Sequence, residues 1–333
     1  AEAASVTNGA ASGIAIAVAA VLTGTDLERI RRIPETDGRP NDVLVQAGHD
    51  VNFGAEICQM VRLGGGNPVV FGTSEQVTQN DLKDALSDRT VLALYVQSHH
   101  CIQENRLPLD AFVDLNVPTL VDAAAEEDLE RWIAGGADLV TYSGGKAIGG
   151  PTSGFIAGRR DLIEACELQQ HGIARAMKVG KEQIMGLLAA LEYRPDPTTA
   201  GVLEALKGAL LALDTGRRIA VEIVPDRAGR SIERVGISGD FDVYALVRFL
   251  EAGNPSIRTR NHQLGDGSVL FDVRELKVSH VPLIAERHDV ELVLVGDGPE
   301  RGRLESLARE LQIGERLRFL GAPLKAAHHD QLV

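Results

Sequence analysis

An acid closes one apolar run of this chain, and a lysine sits in a glycine-rich turn just after the next. Between Asn116 and Arg159, the residues Val117, Leu120 and Val121 read as a short buried strand that delivers Asp122. Leu139 to Tyr142 read as a second strand, which delivers Ser143 and Lys146. A carboxylate and a primary amine are thereby offered at one edge of a sheet. The pair suits chemistry in which the amine holds an aldehyde as a Schiff base while a buried acid keeps a heteroaromatic nitrogen protonated, so that the ring withdraws electrons. That is the chemistry of pyridoxal phosphate. Taken singly, either residue reads equally as a solvated turn or a helix cap. Ser143-Gly144-Gly145-Lys146 also matches the Ser-x-x-Lys of serine acylases, but the chain has neither the Ser-Asp-Asn nor the Lys-Thr-Gly partner motif.

A third element joins these two. Ala4 to Gly13 reads as a small-residue turn running into an apolar helix, Ile14 to Leu22. A helix start of this kind presents free backbone N–H groups and a positive dipole end to a phosphate, with Asn8, Gly9 and Ala10 as the expected cradle. The alternative is an ordinary helix start capped by the side chain of Thr7 or Asn8. Phosphate loop, acid and lysine in this order carry far more than any one of them alone.

The segments AEAASVTNGAASG, NDVLVQAGHDVNFGAEI, PTLVDAAAE, TYSGGKAIGGPTSG, RAMKVGKEQIMGLLAALE and GNPSIRTRNH span most of residues 1–276. In content and order they resemble fold type I pyridoxal phosphate enzymes of the bacterial selenocysteine synthase group, in the branch of the D-glucosaminate-6-phosphate ammonia-lyases. The resemblance implies that Lys146 is the Schiff-base lysine and Asp122 the partner of the pyridine nitrogen. It makes Asn8, Gly9, Ala10 and Ser143 phosphate contacts and stacks His49 near the ring. It sets Arg260 and His262 on the small-domain side of a cleft. From the residues alone, His49 reads equally as a surface loop residue. Arg260 reads either as a bidentate fork for a substrate carboxylate or phosphate, or as one charged face of a strand shared with Arg258. Arg175 and Lys178 follow a glycine turn, where they would meet an anionic substrate or simply open a solvated helix. Members of the resembling family carry a segment ahead of the phosphate loop that helps to close a dimeric active site. The chain opens at that loop, so a truncated or chimeric version with impaired turnover is expected.

Elements able to position these residues are legible along the chain. Apolar runs at Val43 to Val45, Pro68 to Phe71, Val91 to Val96, Pro118 to Val121, Asp138 to Tyr142 and Gly154 to Ala157 alternate with helical patterns at Ala55 to Arg62, Leu109 to Asp114 and Leu129 to Ala134. Such alternation predicts an α/β fold with a mostly parallel sheet whose ligands bind at the carboxyl ends of the strands. The predicted large domain covers residues 1–194. A linker at PDPTT follows, then a smaller α+β domain over 195–278, with a helix at Val202 to Leu213, strands at Ile219 to Ile223, Ser231 to Ile237 and Val269 to Val273, and a helix at Val243 to Glu251.

Residues 281–333 break this pattern. VELVLVGDGPERGRLESLARELQIGERLRFLGA resembles the first β-α-β unit of the nucleotide-sugar domain in glycosyltransferase family 4, with strands at Val290 to Val295 and Leu317 to Leu320 around a helix at Glu300 to Leu311. It stops short of that family's acid-rich donor motif, so no transferase activity carries over. A unit this small has too little core to stand alone and is expected to be loosely attached.

Composition bounds the partners. A chain of 333 residues, 44% hydrophobic and only 4% aromatic, packs with Ala, Val, Leu and Gly. Cys58, Cys101 and Cys166 are scattered and odd in number, which predicts free thiols in a reducing, cytoplasmic compartment. His99, His100 and Cys101 cluster without a metal-ligand spacing, so no metal site is expected. The run Ile14 to Leu22 lacks a basic flank and is too short to span a bilayer. A net charge of −13 without a basic stripe argues against transfer RNA as a partner. The expected protein is a homo-oligomeric, pyridoxal phosphate-dependent lyase acting on an anionic amino acid or amino sugar acid, with α,β-elimination and release of ammonia. The alternatives are a selenium transferase acting on seryl-tRNA, a glycosyltransferase-related module, and a catalytically dead chimera.

Overall fold

The computed structural model describes residues 1–98, 101, 103–193, 199–213, 219–227, 230, 232–261, 263–285, 292–295, 303, 306 and 317–320. The chain divides into two compact units, Ala1–Asp196 with Pro225–Ile232, and Pro197–Val224 with Glu233–Val333.

The first unit is built on a seven-stranded sheet: β1 (Ala3–Thr7), β2 (Asp42–Gln46), β3 (Asn67–Phe71), β4 (Thr90–Val96), β5 (Thr119–Asp122), β6 (Leu139–Ser143) and β7 (Gly154–Gly158), in the order β1-β7-β6-β5-β4-β2-β3. The pairs among β2 to β6 are all parallel, whereas β7 runs antiparallel to both β6 and β1. The parallel strands β4, β5 and β6 are buried almost throughout, as expected of parallel strands covered on both faces. All six apolar runs picked out above are strands of this sheet.

β1 was not among those runs. The segment read as a turn is a strand from Ala3 to Thr7, and the helix α1 that follows spans Ala10–Thr23, four residues earlier than expected. Small residues hid it, because Ala and Ser carry little strand propensity and the pairing with β7 supplies what the local sequence does not. α1 is alanine-rich and buried on nearly every side, since it lies against the sheet and also against the helices Ile57–Leu63 and Arg160–Leu168. A Cβ on Gly13 would run into Thr141 of β6, so glycine there sets how closely α1 approaches the sheet.

The second unit carries β8 (Ile219–Pro225), β9 (Glu233–Gly239) and β10 (Ser268–Asp272) in the order β10-β9-β8, packed with the helices Ala200–Leu211 and Val243–Ala252. Two strands, β11 (Leu292–Val295) and β12 (Leu317–Leu320), pair in parallel in the tail, at the places read from the sequence. The helix expected between them lies almost wholly outside the described residues. The tail does not begin as a separate fragment: a short helix at Val281–Ala285 buries Val281 and Ile284 in the same core as Leu203, Leu206 and Val269. A proline, Pro282, in the first turn of that helix is compatible with helix geometry and does not break it.

Candidate active site

Parallel strands put their carboxyl ends on one edge, and the chemistry collects there. Asp122 ends β5 and pairs with Thr141 of β6, and Ser143 ends β6. Ser143 pairs with Gly154, the first residue of β7, and Gly154 pairs on its other side with Thr7, the last residue of β1. The start of α1 is therefore brought to the same edge by the antiparallel pairing of β1 with β7. A pocket of about 260 Å³ opens there, lined by Gly9, Ala10, Ala11, Asp122, Ala124, Ser143 and Lys146 on the polar side, with Phe53, Ile14 and Met60 among its apolar walls.

Gly9 is the N-cap of α1, with φ 140° and ψ 169°, and no side chain caps the helix. This overturns the alternative in which Thr7 or Asn8 does so. Thr7 and Ser12 instead donate their hydroxyls to the Gly9 carbonyl, at 2.9 and 2.7 Å. A left-handed φ of this kind favours glycine. A Cβ at Gly9 would meet nothing within 4 Å, so the space beside this backbone is open.

Asp122 is 3% exposed and accepts one hydrogen bond, from the Ala124 N–H to Oδ1 at 3.1 Å. Burial pushes its pKa from 3.8 up to about 6, against the opposing pull of Lys146 and of the Ala124 N–H. Lys146 is exposed in the turn after β6, and its Nζ lies 5.1 Å from the centre of the Phe53 ring. The turn is held by the Gly144 N–H to Ser153 O at 2.7 Å and by the Gly150 N–H to Gly144 O at 2.7 Å. Further along the loop after β5, Glu126 is buried beside Arg230 (3.6 Å), and burial raises its pKa to about 7.

The other residues singled out from the sequence fall differently. Asn8 is exposed and does not line the pocket. His49 lies inside the wall rather than on the pocket surface: it is 0% exposed and packs edge-on to Tyr95 at 4.8 Å. The Val96 N–H donates to His49 Nδ1 at 3.0 Å, and Nε2 lies 3.1 Å from Gln46 Nε2 and 3.4 Å from Gln103 Oε1. Burial lowers its pKa to about 4, partly offset by the bond to Gln103 and reinforced by Arg106, so the ring is neutral. In the same β2-to-helix loop the aromatic side chain that does line the pocket is Phe53. Its signal in the sequence is an apolar aromatic beside Gly54, past the carboxyl end of β2, where no core needs it. Arg175 is exposed in the short helical turn Ile173–Met177 and does not line the pocket. Arg260 lies in the second unit, bridged to Leu270 and bonded through Nε to Asp272 Oδ2 at 3.3 Å. His262 lies outside the described residues, as do His99 and His100. Cys58, Cys101 and Cys166 are free and buried, each thiol pushed up to about 12 chiefly by burial. Among the described residues no group of His, Cys, Asp and Glu side chains could hold a metal ion.

The residues present fit pyridoxal phosphate. An uncapped helix start with open space at Gly9 suits its phosphate, a buried acid suits its pyridine nitrogen, and a lysine at the same strand edge suits its aldehyde.

Comparison with known proteins agrees. A family model described as SelA: L-seryl-tRNA selenium transferase matches residues 108–207. The chain is 41% identical over 295 residues to D-glucosaminate-6-phosphate ammonia lyase of Salmonella typhimurium, covering 85% of this chain and 79% of that protein. It belongs to the selenocysteine synthase-like family of fold type I pyridoxal phosphate enzymes. A solved structure of D-glucosaminate-6-phosphate ammonia-lyase superposes with a TM-score of 0.72 at 40% identity, over 85% of this chain and 79% of that one. The 5′-C-glycyluridine monooxygenase-decarboxylase of a Streptomyces species is 40% identical over 306 residues, 87% of this chain and 77% of that protein. The cofactor of this family member is pyridoxal 5′-phosphate, and the enzyme is ammonia-lyase-like.

Proposed function

We propose that the enzyme eliminates ammonia from an anionic amino sugar acid. The observation that supports this reading most directly is that Asp122, Lys146, Ser143 and the start of α1 line one pocket at the carboxyl edge of the sheet. Bound there, pyridoxal phosphate supplies an aldehyde for the substrate amine and a ring that draws electrons from its Cα. In this reading the N–H groups at Gly9 and Ala10 and the Ser143 hydroxyl bind phosphate oxygens, and Asp122 holds a proton at the ring nitrogen. Lys146 Nζ would hold the cofactor's aldehyde and, once released from it by the substrate amine, would be placed to take the proton from the substrate Cα. Phe53, Ile14 and Met60 keep water from that side of the pocket. By the resemblance, an oxyanion of the substrate falls to an arginine, with Arg260 as the first candidate. Arg175 and His262 are secondary candidates for the same task. The role of ring-stacking residue passes from His49, which is buried behind the wall, to Phe53.

A substrate carrying both carboxylate and phosphate matches the relative from Salmonella. The relative from Streptomyces is named for an oxygen-dependent decarboxylation at almost the same identity, so the test must separate the two outcomes. Purified enzyme loaded with cofactor is incubated with D-glucosaminate 6-phosphate without oxygen. Release of ammonia with formation of a keto acid supports the proposal; turnover only with oxygen, accompanied by carbon dioxide, refutes it. A transfer-RNA substrate is disfavoured by the net charge of −13. We also infer a cytoplasmic compartment from the three free thiols and a homo-oligomer from the habit of the fold; no helix among the described residues is long and apolar enough to cross a membrane. No glycosyl transfer is assigned to the tail.

A further inference from the structure

Three alanines follow Asp122, and none has a side chain able to hold the turn that they form. The backbone ties this turn to β6: the Ala123 N–H donates to Thr141 O at 3.0 Å, and the Ser143 N–H donates to Ala124 O at 3.1 Å. The Glu126 N–H then closes the turn on Ala123 O, at 3.0 Å. Ala124 lines the pocket and gives its own N–H to Asp122 Oδ1. The direction of the Asp122 carboxyl therefore depends on where the turn lies, and Glu126 is the first residue after Asp122 with a side chain long enough to anchor it.

That side chain is turned inward. It is 6% exposed and faces Arg230, itself 4% exposed, with Nη1 3.6 Å from Oε1. Arg230 comes from Pro225–Ile232, a segment of the first unit, and it is already fixed. Asp226 accepts its Nε at 3.0 Å and its Nη2 at 2.6 Å, a bidentate pair. Among the described residues Glu126 Oε1 meets no hydrogen-bond donor within range. Stability alone gives no reason for such burial, because a carboxyl buried against an arginine is no more stabilising than an apolar pair of the same volume. Lys146 and the Cys101 thiol face Asp122, while Arg230, Asp226, Arg131 and Glu127 face Glu126. Neither carboxyl is among the charges that shift the other, so Glu126 reaches Asp122 through the backbone between them.

We propose that Glu126, held by Arg230, is a positioning residue for Asp122: it fixes the alanine turn so that the Ala124 N–H keeps the Asp122 carboxyl turned to the ring nitrogen of the cofactor. The proposal rests on the reading of Asp122 as the partner of that nitrogen. Neither Glu126 nor Arg230 lines the pocket, so both act through the turn.

The test reads two quantities in the full chain. In the cofactor-free protein, hydrogen exchange of the Ala124 amide reports whether the turn is closed. In the protein loaded with pyridoxal phosphate whose ring carries heavy nitrogen, the nitrogen resonance followed against pH shows where the ring gives up its proton. In Glu126→Ala the amide exchanges about tenfold faster or more, and the ring gives up its proton about one pH unit or more lower, a tenfold loss of proton affinity. Glu126→Gln keeps the length of the side chain and an oxygen for Arg230 Nη1, and gives the parental value of both. Arg230→Lys keeps the charge but cannot hold Asp226 by two bonds while facing Glu126. Should Glu126→Ala not fold, Arg230→Lys is read in its place with the same expectation. A turn that matters only for stability would lower the melting point of Glu126→Ala and leave the ring proton where it was, which overturns the proposal. A ring-proton shift without faster Ala124 exchange, or one that Glu126→Gln fails to reverse, also overturns it, because the effect would then be one of charge and not of place. Asp122→Asn separates the two readings: if it loses the ring proton while Glu126→Ala keeps it, the positioning role falls and the Asp122 reading stands. If Asp122→Asn leaves the ring protonated, both fall.

Discussion

A methyl group built on Gly154 would lie 2.8 Å from the carbonyl carbon of Gly9 and 2.9 Å from its Cα. The first residue of β7 thus presses on the loop that opens α1, and it also carries the pairing from Thr7 across to Ser143. The obstructing atoms are backbone and cannot swing aside. Gly154→Ala should displace the phosphate loop, weaken the cofactor by about tenfold or more, and cost roughly 1–3 kcal/mol of stability as an overpacked site does. Fluorescence titration with pyridoxal phosphate checks this; an unchanged affinity would mean that the loop has slack.

Asp122 should trade stability for function. Its pKa is about 6 in the folded chain against an ordinary 3.8, so between those values the native state keeps a proton that the unfolded chain has released. Stability of the cofactor-free protein therefore falls as pH rises through that window, by at most roughly 3 kcal/mol. Without cofactor, Asp122→Asn should be more stable than the parent at pH 8 and no different near pH 4. Loaded with cofactor, the same variant should lose Cα-proton exchange by roughly 2–4 kcal/mol of barrier, as when a preorganised charge is removed. Equal melting points for the two cofactor-free proteins at pH 8 would contradict the first part, and near-normal exchange the second.

Lys146 should carry the visible absorption of the loaded enzyme. Lys146→Ala is expected to abolish that band and the borohydride-trappable adduct while leaving the circular dichroism unchanged, because the side chain is exposed and supports no core. A band that survives in the variant would place the covalent anchor on another amine.

His49 should set part of the acid limb. Its pKa of about 4 lies below the ordinary 6.5, so the unfolded chain binds the proton first and stability drops as pH falls from 6.5 towards 4. The full effect is roughly 3 kcal/mol. His49→Gln retains a polar side chain but cannot take up that proton, and its unfolding free energy should change less between pH 7.5 and 5 than that of the parent. Parallel slopes in urea titrations would assign the acid limb to other groups.

The sequence by itself determined which local elements form and which reactive side chains end them. Buried parallel strands are written as short runs of Val, Leu and Ile, and a parallel sheet sends every carboxyl end to one edge. Asp122, Ser143 and Lys146 could therefore be assigned to a common site before any long-range pairing was known. Tertiary structure alone decided the rest. β1 is a strand only because β7 reverses beside β6 and offers an antiparallel partner to Ala, Ser and Thr, and that pairing delivers Gly9 to the acid and the lysine. His49 and Phe53 share one loop, yet the first is buried in the wall and the second lines the pocket, a division made by the packing of Tyr95 and Val96. The convergence of Arg234, Arg260 and Arg274 on Asp272 likewise depends on strand register. A side chain's type and spacing encode the element that carries it, but its neighbours come from pairings and packing between residues far apart in the chain, which no local pattern records.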